Sequence, residues 1–117
     1  MPKIRHLAII SIDPERLAGF YEEVFEMERV DVPGEAINLT DGYMNVTIIP
    51  NRAEGKPSGL NHFGIEVEDE DEIARRFAKW GLVPPKGRGK RRPESENRAA
   101  DPDGNNFDVS ARGFPIS

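Results

Sequence analysis

Hydrophobic and polar positions alternate loosely from Ile4 to Ile12, then change to three- and four-residue spacing at Leu17, Phe20, Tyr21, Val24 and Phe25. The first pattern predicts a strand; the second predicts a helix with one apolar stripe that needs a sheet to cover. Asp13-Pro14 lies between them and predicts an N-cap followed by proline at the first helical position, where a missing N–H costs nothing. Short strands are predicted at Glu28 to Val32, Ala36 to Leu39 and Tyr43 to Ile49, with Asp41-Gly42 as the turn between the last two. The first half therefore reads βαβββ.

The stretch 50–59 carries two prolines, two glycines and several charges, which marks a connector. The pattern then restarts. Asn61 to Val67 predicts a strand, and Asp71 to Trp80 a helix with Ile73, Phe77 and Trp80 on one face, closed by Gly81. Strands are predicted at Leu82 to Pro85, Asn97 to Ala100 and Asn106 to Ala111, so the second half also reads βαβββ. Tyr21, Phe77 and Trp80 are assigned to the core. Between Lys86 and Arg98 the run KGRGKRRPESENR is too polar and glycine-rich for core, and reads as a basic loop in an acidic chain.

The halves also match in wording: HLAIISID begins at His6 and HFGIEVED at His62, while MNVT begins at Met44 and FDVS at Phe107. A repeat of this length exceeds the short solenoid periods and indicates two copies of one supersecondary unit. The expectation is a single domain, 1–117, with one module at about 1–50, a linker at about 51–59 and a second module at about 60–113. The expected class is α+β: two tandem βαβββ modules forming a curved mixed sheet around a cleft, helices on the outer face.

Strand alternation predicts where the polar residues point. Phe63, Ile65 and Val67 share the helix-facing side, leaving His62, Gly64 and Glu66 on the other. Leu7 and Ile9 face the helix while His6 and Ala8 do not; Phe107, Val109 and Ala111 do while Asn106, Asp108 and Ser110 do not. Asn45 and Thr47 lie opposite Met44, Val46 and Ile48. The repeat-related pairs His6/His62 and Asn45/Asp108 all fall on the face away from the helices.

Composition narrows the chemistry. The chain has 117 residues, a formal net charge of -5 and no cysteine. The acidic balance argues against a nucleic-acid partner, and no apolar stretch reaches the roughly 20 residues that span a bilayer. A cytoplasmic location is expected. Without cysteine there is no disulfide, thiolate nucleophile or sulfur ligand, so any metal is held by nitrogen and oxygen. No GxSxG or phosphate loop is present. The acidic run from Glu66 to Glu72 reads most simply as a solvated helix entrance, favourable near the positive end of the helix dipole.

The paired histidine strands, FYEEVFEM after the first of them, and DPDGNNFDVS near the C-terminus together resemble the vicinal oxygen chelate superfamily. That group contains glyoxalase I, fosfomycin resistance proteins, extradiol dioxygenases and bleomycin resistance proteins. The resemblance covers nearly the whole chain. It implies paired βαβββ modules, a divalent metal (Fe, Mn, Zn, Co or Ni) and a homodimer, with His6, His62 and Asp108 as the metal residues. The chain departs from the family in having Asp108 where a glutamate is usual, and Asn45 where four-ligand members have Glu or Gln. A neutral amide is a weak ligand for most transition metals, which favours a three-ligand site.

The functional expectation is a glyoxalase- or dioxygenase-like metalloenzyme, of the lyase, isomerase or dioxygenase type. It would act on a small oxygen-bearing, anionic substrate through bidentate chelation, with Glu66 as candidate base. Asn45, Thr47, Arg88, Lys90 and Arg91 are the candidate substrate-binding residues, with Lys86 and Arg92 adding to the basic loop. The alternative is a metal-free small-molecule binding or drug-sequestering protein of the bleomycin resistance type, with a hydrophobic cleft around Met44, Ile48 and the aromatic residues.

Overall fold

The computed structural model describes residues 1–52, 57–87 and 97–114. Among these are eight strands and two helices in the order β1 (Lys3–Ser11), α1 (Pro14–Phe25), β2 (Glu28–Val30), β3 (Ile37–Thr40), β4 (Asn45–Pro50), β5 (Gly59–Glu66), α2 (Glu70–Lys79), β6 (Lys86–Gly87), β7 (Asn97–Ala100) and β8 (Asn106–Ser110). The fold class is α+β, and the βαβββ order occurs twice. The chain divides into two compact units, one containing His6–Asn61 and the other Met1–Arg5 with His62–Phe114. They are called the first and second modules below.

In the first module the strand order is β2-β3-β4-β1. β1 and β4 run parallel, with His6 opposite Asn45 and Ala8 opposite Thr47, while β2/β3 and β3/β4 are antiparallel. α1 starts as its sequence predicts: Asp13 caps it by accepting the Arg16 N–H at 3.1 Å, and Pro14 follows. The core lies between α1 and the sheet and is built from Ala18, Leu39, Val46 and Ile48, with Ile9, Leu17, Tyr21, Met27 and Ile37 packed against it. Burying side chains of the size of Leu39 and Ile48 stabilises the module by roughly 1.5–3 kcal/mol each.

The second module repeats this plan, with strand order β5-β8-β7-β6, β5 and β8 parallel, and the other neighbours antiparallel. Val67, Ala99, Phe107 and Val109 form its core, with Phe63, Ile65, Ile73 and Phe77 packed against it. Phe63 and Phe107 are cross-strand partners and stack with ring centroids 5.4 Å apart. Asp69 caps α2 by accepting the N–H groups of Asp71 and Glu72. At the other end Gly81 adopts φ +72, closing the helix as its sequence predicts.

Several expectations need correction. Leu82 to Pro85 forms no strand; pairing starts only at Lys86, because Pro84 and Pro85 have no N–H to give a ladder. Trp80 is 74% exposed and lies outside the core. α2 ends at Lys79, and Trp80 follows in a non-helical conformation beside Ile73 and Phe77 at the surface. The α1 stripe is narrower than its pattern: Leu17, Ala18 and Tyr21 meet the core, while Phe20, Val24 and Phe25 stay exposed. Ile48 is spent inside the α1 core, so it is unavailable to a hydrophobic cleft on the opposite face.

Ile48→Ala is expected to destabilise the protein by about 2–4 kcal/mol, as cavity-forming substitutions at fully buried sites do. Denaturant unfolding followed by circular dichroism checks this, and a loss below about 1 kcal/mol would contradict the packing described.

Candidate functional site

Each module delivers its polar strand through a turn built by an aspartate. In the first, the Asp41 carboxylate accepts the N–H groups of Met44 (2.7 Å) and Tyr43 (2.9 Å), and Gly42 adopts φ +97. These backbone hydrogen bonds, that of Met44 foremost, hold the Asp41 carboxyl below the usual range. In the second, the Asp101 carboxylate accepts the N–H groups of Asp103 and Asn105, both at 2.9 Å, while Gly104 adopts φ +87. Asn45 and Asp108, the repeat-related residues, follow these turns on β4 and β8.

In the first module, strand register lines up a buried polar strip. His6 lies opposite Asn45 on the β1/β4 pair, and Asn38 and Thr40 on β3 lie opposite Thr47 and Asn45. His6 Nδ1 and Asn45 Oδ1 are 2.6 Å apart. Asn45 Nδ2 donates to Asn38 Oδ1 at 3.3 Å, and the Thr47 hydroxyl lies 2.7 Å from Asn38 Oδ1 and 2.9 Å from Asn45 Oδ1. His6, Asn38, Thr40 and Asn45 are all buried, Asn45 to 1% exposure. Asn38 did not emerge as a site residue from the sequence; its two-residue spacing from Thr40 was the available signal.

In the second module the strip carries charge. Asp108 is fully buried; its Oδ2 lies 3.1 Å from His62 Nε2, and its Oδ1 accepts from Arg98 Nε at 2.7 Å. Burial pushes the Asp108 carboxyl upward, but hydrogen bonds from His62 and Arg98, together with the Arg98 and His62 charges, outweigh it and bring the pKa down to about 2. Asp108 is therefore ionised at neutral pH, as a metal ligand must be. Arg98 is its cross-strand partner on β7. Sequence reading missed Arg98 because it stands at the edge of the basic run, and only strand pairing puts it beside the carboxylate.

Glu66 sits on β5 with its Oε1 3.5 Å from Arg5 Nη1, in a half-exposed ion pair. Gly113 makes room for it: at φ +78, an added Cβ there would come within 2.7 Å of Glu66 Oε1. The structure thus brings His62 together with Asp108, and His6 together with Asn45 and Thr47. Lys86 is exposed and pairs across β6/β7 with Arg98, whereas Arg88, Lys90, Arg91 and Arg92 lie outside the described residues. No helix among the described residues is long and apolar enough to cross a membrane.

The donor chemistry fits a divalent ion. Imidazole nitrogens and a carboxylate oxygen are the donor types that N/O-binding divalent ions take, and His62 Nε2 stands 3.1 Å from Asp108 Oδ2, the separation of a hydrogen-bonded pair.

The depressed Asp108 pKa predicts an acid-sensitive fold. A carboxyl at about 2 in the folded chain and at its ordinary 3.8 when unfolded adds stability that is present above pH 3.8 and lost as pH falls through 2. The difference corresponds to roughly 2 kcal/mol. Metal-free wild-type protein is expected to lose about that much more stability between pH 5 and 2 than Asp108→Asn, measured by urea titration at each pH. Parallel curves would remove Asp108 as the source.

A search of curated proteins finds no match. Among solved structures the chain is similar to a hypothetical protein from Bacillus halodurans C-125, with 15% identity, a TM-score of 0.70, and 99% of this chain and 98% of that one covered. It is also similar to methylmalonyl-CoA epimerase from Mycobacterium tuberculosis, with 16% identity, a TM-score of 0.71, and 92% and 85% covered. A third similar structure is the Mn(II)-bound glyoxalase from Novosphingobium aromaticivorans, with 18% identity and a TM-score of 0.72; it aligns with 98% of this chain, which spans 39% of that one. At these identities the likeness is one of fold. The family model described as Glyoxalase/Bleomycin resistance protein/Dioxygenase superfamily matches residues 3–109, nearly the full length, and the chain belongs to that superfamily.

Proposed function

We propose that this protein is a metal-dependent enzyme of the glyoxalase/dioxygenase type, acting on a small, oxygen-bearing, anionic substrate held through two neighbouring oxygens. His6, His62 and Asp108 would hold the ion. The observation that carries this reading is the ionised, buried Asp108 carboxylate, with its Oδ2 3.1 Å from His62 Nε2. The carboxylate is paired with Arg98 through Oδ1; what supports the reading is its second oxygen, Oδ2, which faces the His62 ring.

A divalent ion held there supplies Lewis acidity to a substrate oxygen. The chain's own residues do the rest. Arg98 ties up Asp108 Oδ1, so the carboxylate presents Oδ2 alone to the side where His62 stands. With only three protein donors, His6, His62 and Asp108, a bound ion would keep an open position for substrate oxygen. Glu66 is the proposed base, on the same strand as His62, with its Oε1 3.5 Å from Arg5 Nη1. Lys86 and the basic residues Arg88, Lys90, Arg91 and Arg92 would draw in a substrate of opposite charge.

A homodimer is part of the proposal. Phe20, Val24 and Phe25 leave apolar surface exposed on α1, and the ligands would then come from one chain or from two. Mixing His6→Ala with His62→Ala protein separates these arrangements: a site shared between chains regains metal in the mixed dimer, and a site within one chain does not.

Elemental analysis of untagged protein purified without added metal is expected to give near-stoichiometric iron, manganese, zinc, cobalt or nickel, reduced to background in His62→Ala and Asp108→Ala. Absence of metal, with no binding on reconstitution, would overturn the proposal in favour of a metal-free binding protein.

A further inference from the structure

We infer that Asn45, seated by Asn38 and Thr47, is a positioning residue for His6: it accepts the Nδ1–H of the imidazole and so fixes the tautomer in which Nε2 carries the lone pair. The inference rests on the reading of His6 as a ligand residue, and it gives Asn45 a role other than ligand or substrate contact.

Register supplies the first part of the argument. His6 is the direct partner of Asn45 across the parallel β1/β4 pair. In the second module the partner of Asp108 is Gly64, and His62 stands two residues before it. Repeat-related residues thus meet their histidines differently. The directly opposite Asn45 reaches Nδ1, the ring nitrogen nearer the backbone, at 2.6 Å. The offset Asp108 meets Nε2, the far nitrogen, at 3.1 Å. A partner on the near nitrogen can orient a ring without blocking its tip.

The polarity of the strip supplies the second part. An amide has donors on one side and an acceptor on the other. Asn45 directs its Nδ2 at Asn38 Oδ1, so its Oδ1 is the atom that faces His6 Nδ1, and the proton in that short contact belongs to the imidazole. The Thr47 hydroxyl lies 2.7 Å from Asn38 Oδ1 and 2.9 Å from Asn45 Oδ1, and its single proton can go to either oxygen, both of which are acceptors in this orientation. In a neutral imidazole with its proton on Nδ1, Nε2 is the basic nitrogen, the form in which histidine ligates metals. Rings that bind metals generally donate their other N–H to such an acceptor, and its loss costs about 10–100-fold in affinity. The flipped arrangement reverses every polarity in the strip: Asn45 would donate to His6 Nδ1, and the proton would sit on Nε2.

Burial explains why the arrangement holds. Asn45 is 1% exposed and Asn38 7%, so turning the amide over would set like groups against one another with little water to compensate. Asn45 also accepts without adding charge, whereas Asp108 in the second module brings a negative charge that Arg98 partly neutralises.

The test is the ring 15N spectrum of histidine-labelled, metal-free, full-length protein at a pH where His6 is neutral, together with Zn(II) titration. The expected wild-type result is a protonated Nδ1 and a bare Nε2 at His6. Asn45→Leu, similar in size but without an acceptor, is expected to lose that tautomer preference and to bind Zn(II) about 10–100-fold more weakly. Asn45→Asp, which keeps an acceptor in the same place, is expected to retain the protonated Nδ1 and so keeps the test decisive if the leucine variant does not fold. A protonated Nε2 in wild-type protein overturns the inference. So does a leucine variant with unchanged tautomer and affinity, or an aspartate variant that loses the protonated Nδ1. A protonated Nδ1 that depends on Asn45, in a protein that binds no Zn(II), would sustain the positioning of His6 while overturning the metal reading.

Discussion

The parallel pairing of the first and last strands within each βαβββ module is the constraint on which the rest depends. Parallel neighbours need a crossover connection, and α1 with β2 and β3, or α2 with β6 and β7, supplies it. The crossover helix covers one face of its four strands and takes the apolar positions with it. His6, Asn45, Thr47, His62 and Asp108 alternate with core-facing residues and fall on the opposite face, where β1 meets β4 and β5 meets β8. Histidine and its amide or carboxylate neighbour are brought together across that pair, although they are 39 residues apart in the first module.

A buried polar face is stable only if its donors and acceptors are matched. The two modules solve this in different ways from the same template. The first surrounds its imidazole with uncharged partners, two amides and two threonine hydroxyls, along facing positions of β1, β4 and β3. The second uses charge, with Asp108 held between His62 and Arg98. The repeat-related exchange of Asn45 for Asp108, a single amide for a carboxylate, separates a module that can hold its histidine from one that contributes a negative oxygen. The aspartate, one methylene shorter than the glutamate common in the superfamily, lies within 3.1 Å of the His62 ring.

Much of this was legible in the chain. The duplicated βαβββ order, the Asp13-Pro14 helix start, the Gly81 stop and the side of the sheet on which His6, His62, Asn45 and Asp108 fall all follow from local rules, because alternation and capping depend on residues a few positions apart. The errors have a common origin as well. Pro84 and Pro85 were read by neighbourhood rather than by their missing N–H groups. Trp80, Phe20, Val24 and Phe25 were read by apolarity, whereas their burial depends on where a helix ends and how wide a face the sheet covers.

By itself, then, the sequence determined the repeat, the fold class and the set of polar residues sharing a face, because periodicity fixes which way a side chain points. The tertiary structure alone decided partnership: Arg98 on Asp108, Asn38 and Thr47 on Asn45, Asn45 on the near nitrogen of His6, and Asp108 on the far nitrogen of His62. Those pairings depend on the register between strands distant in the chain. Shifting one strand by two residues preserves the face of every side chain and changes every neighbour, so periodicity carries no information about them.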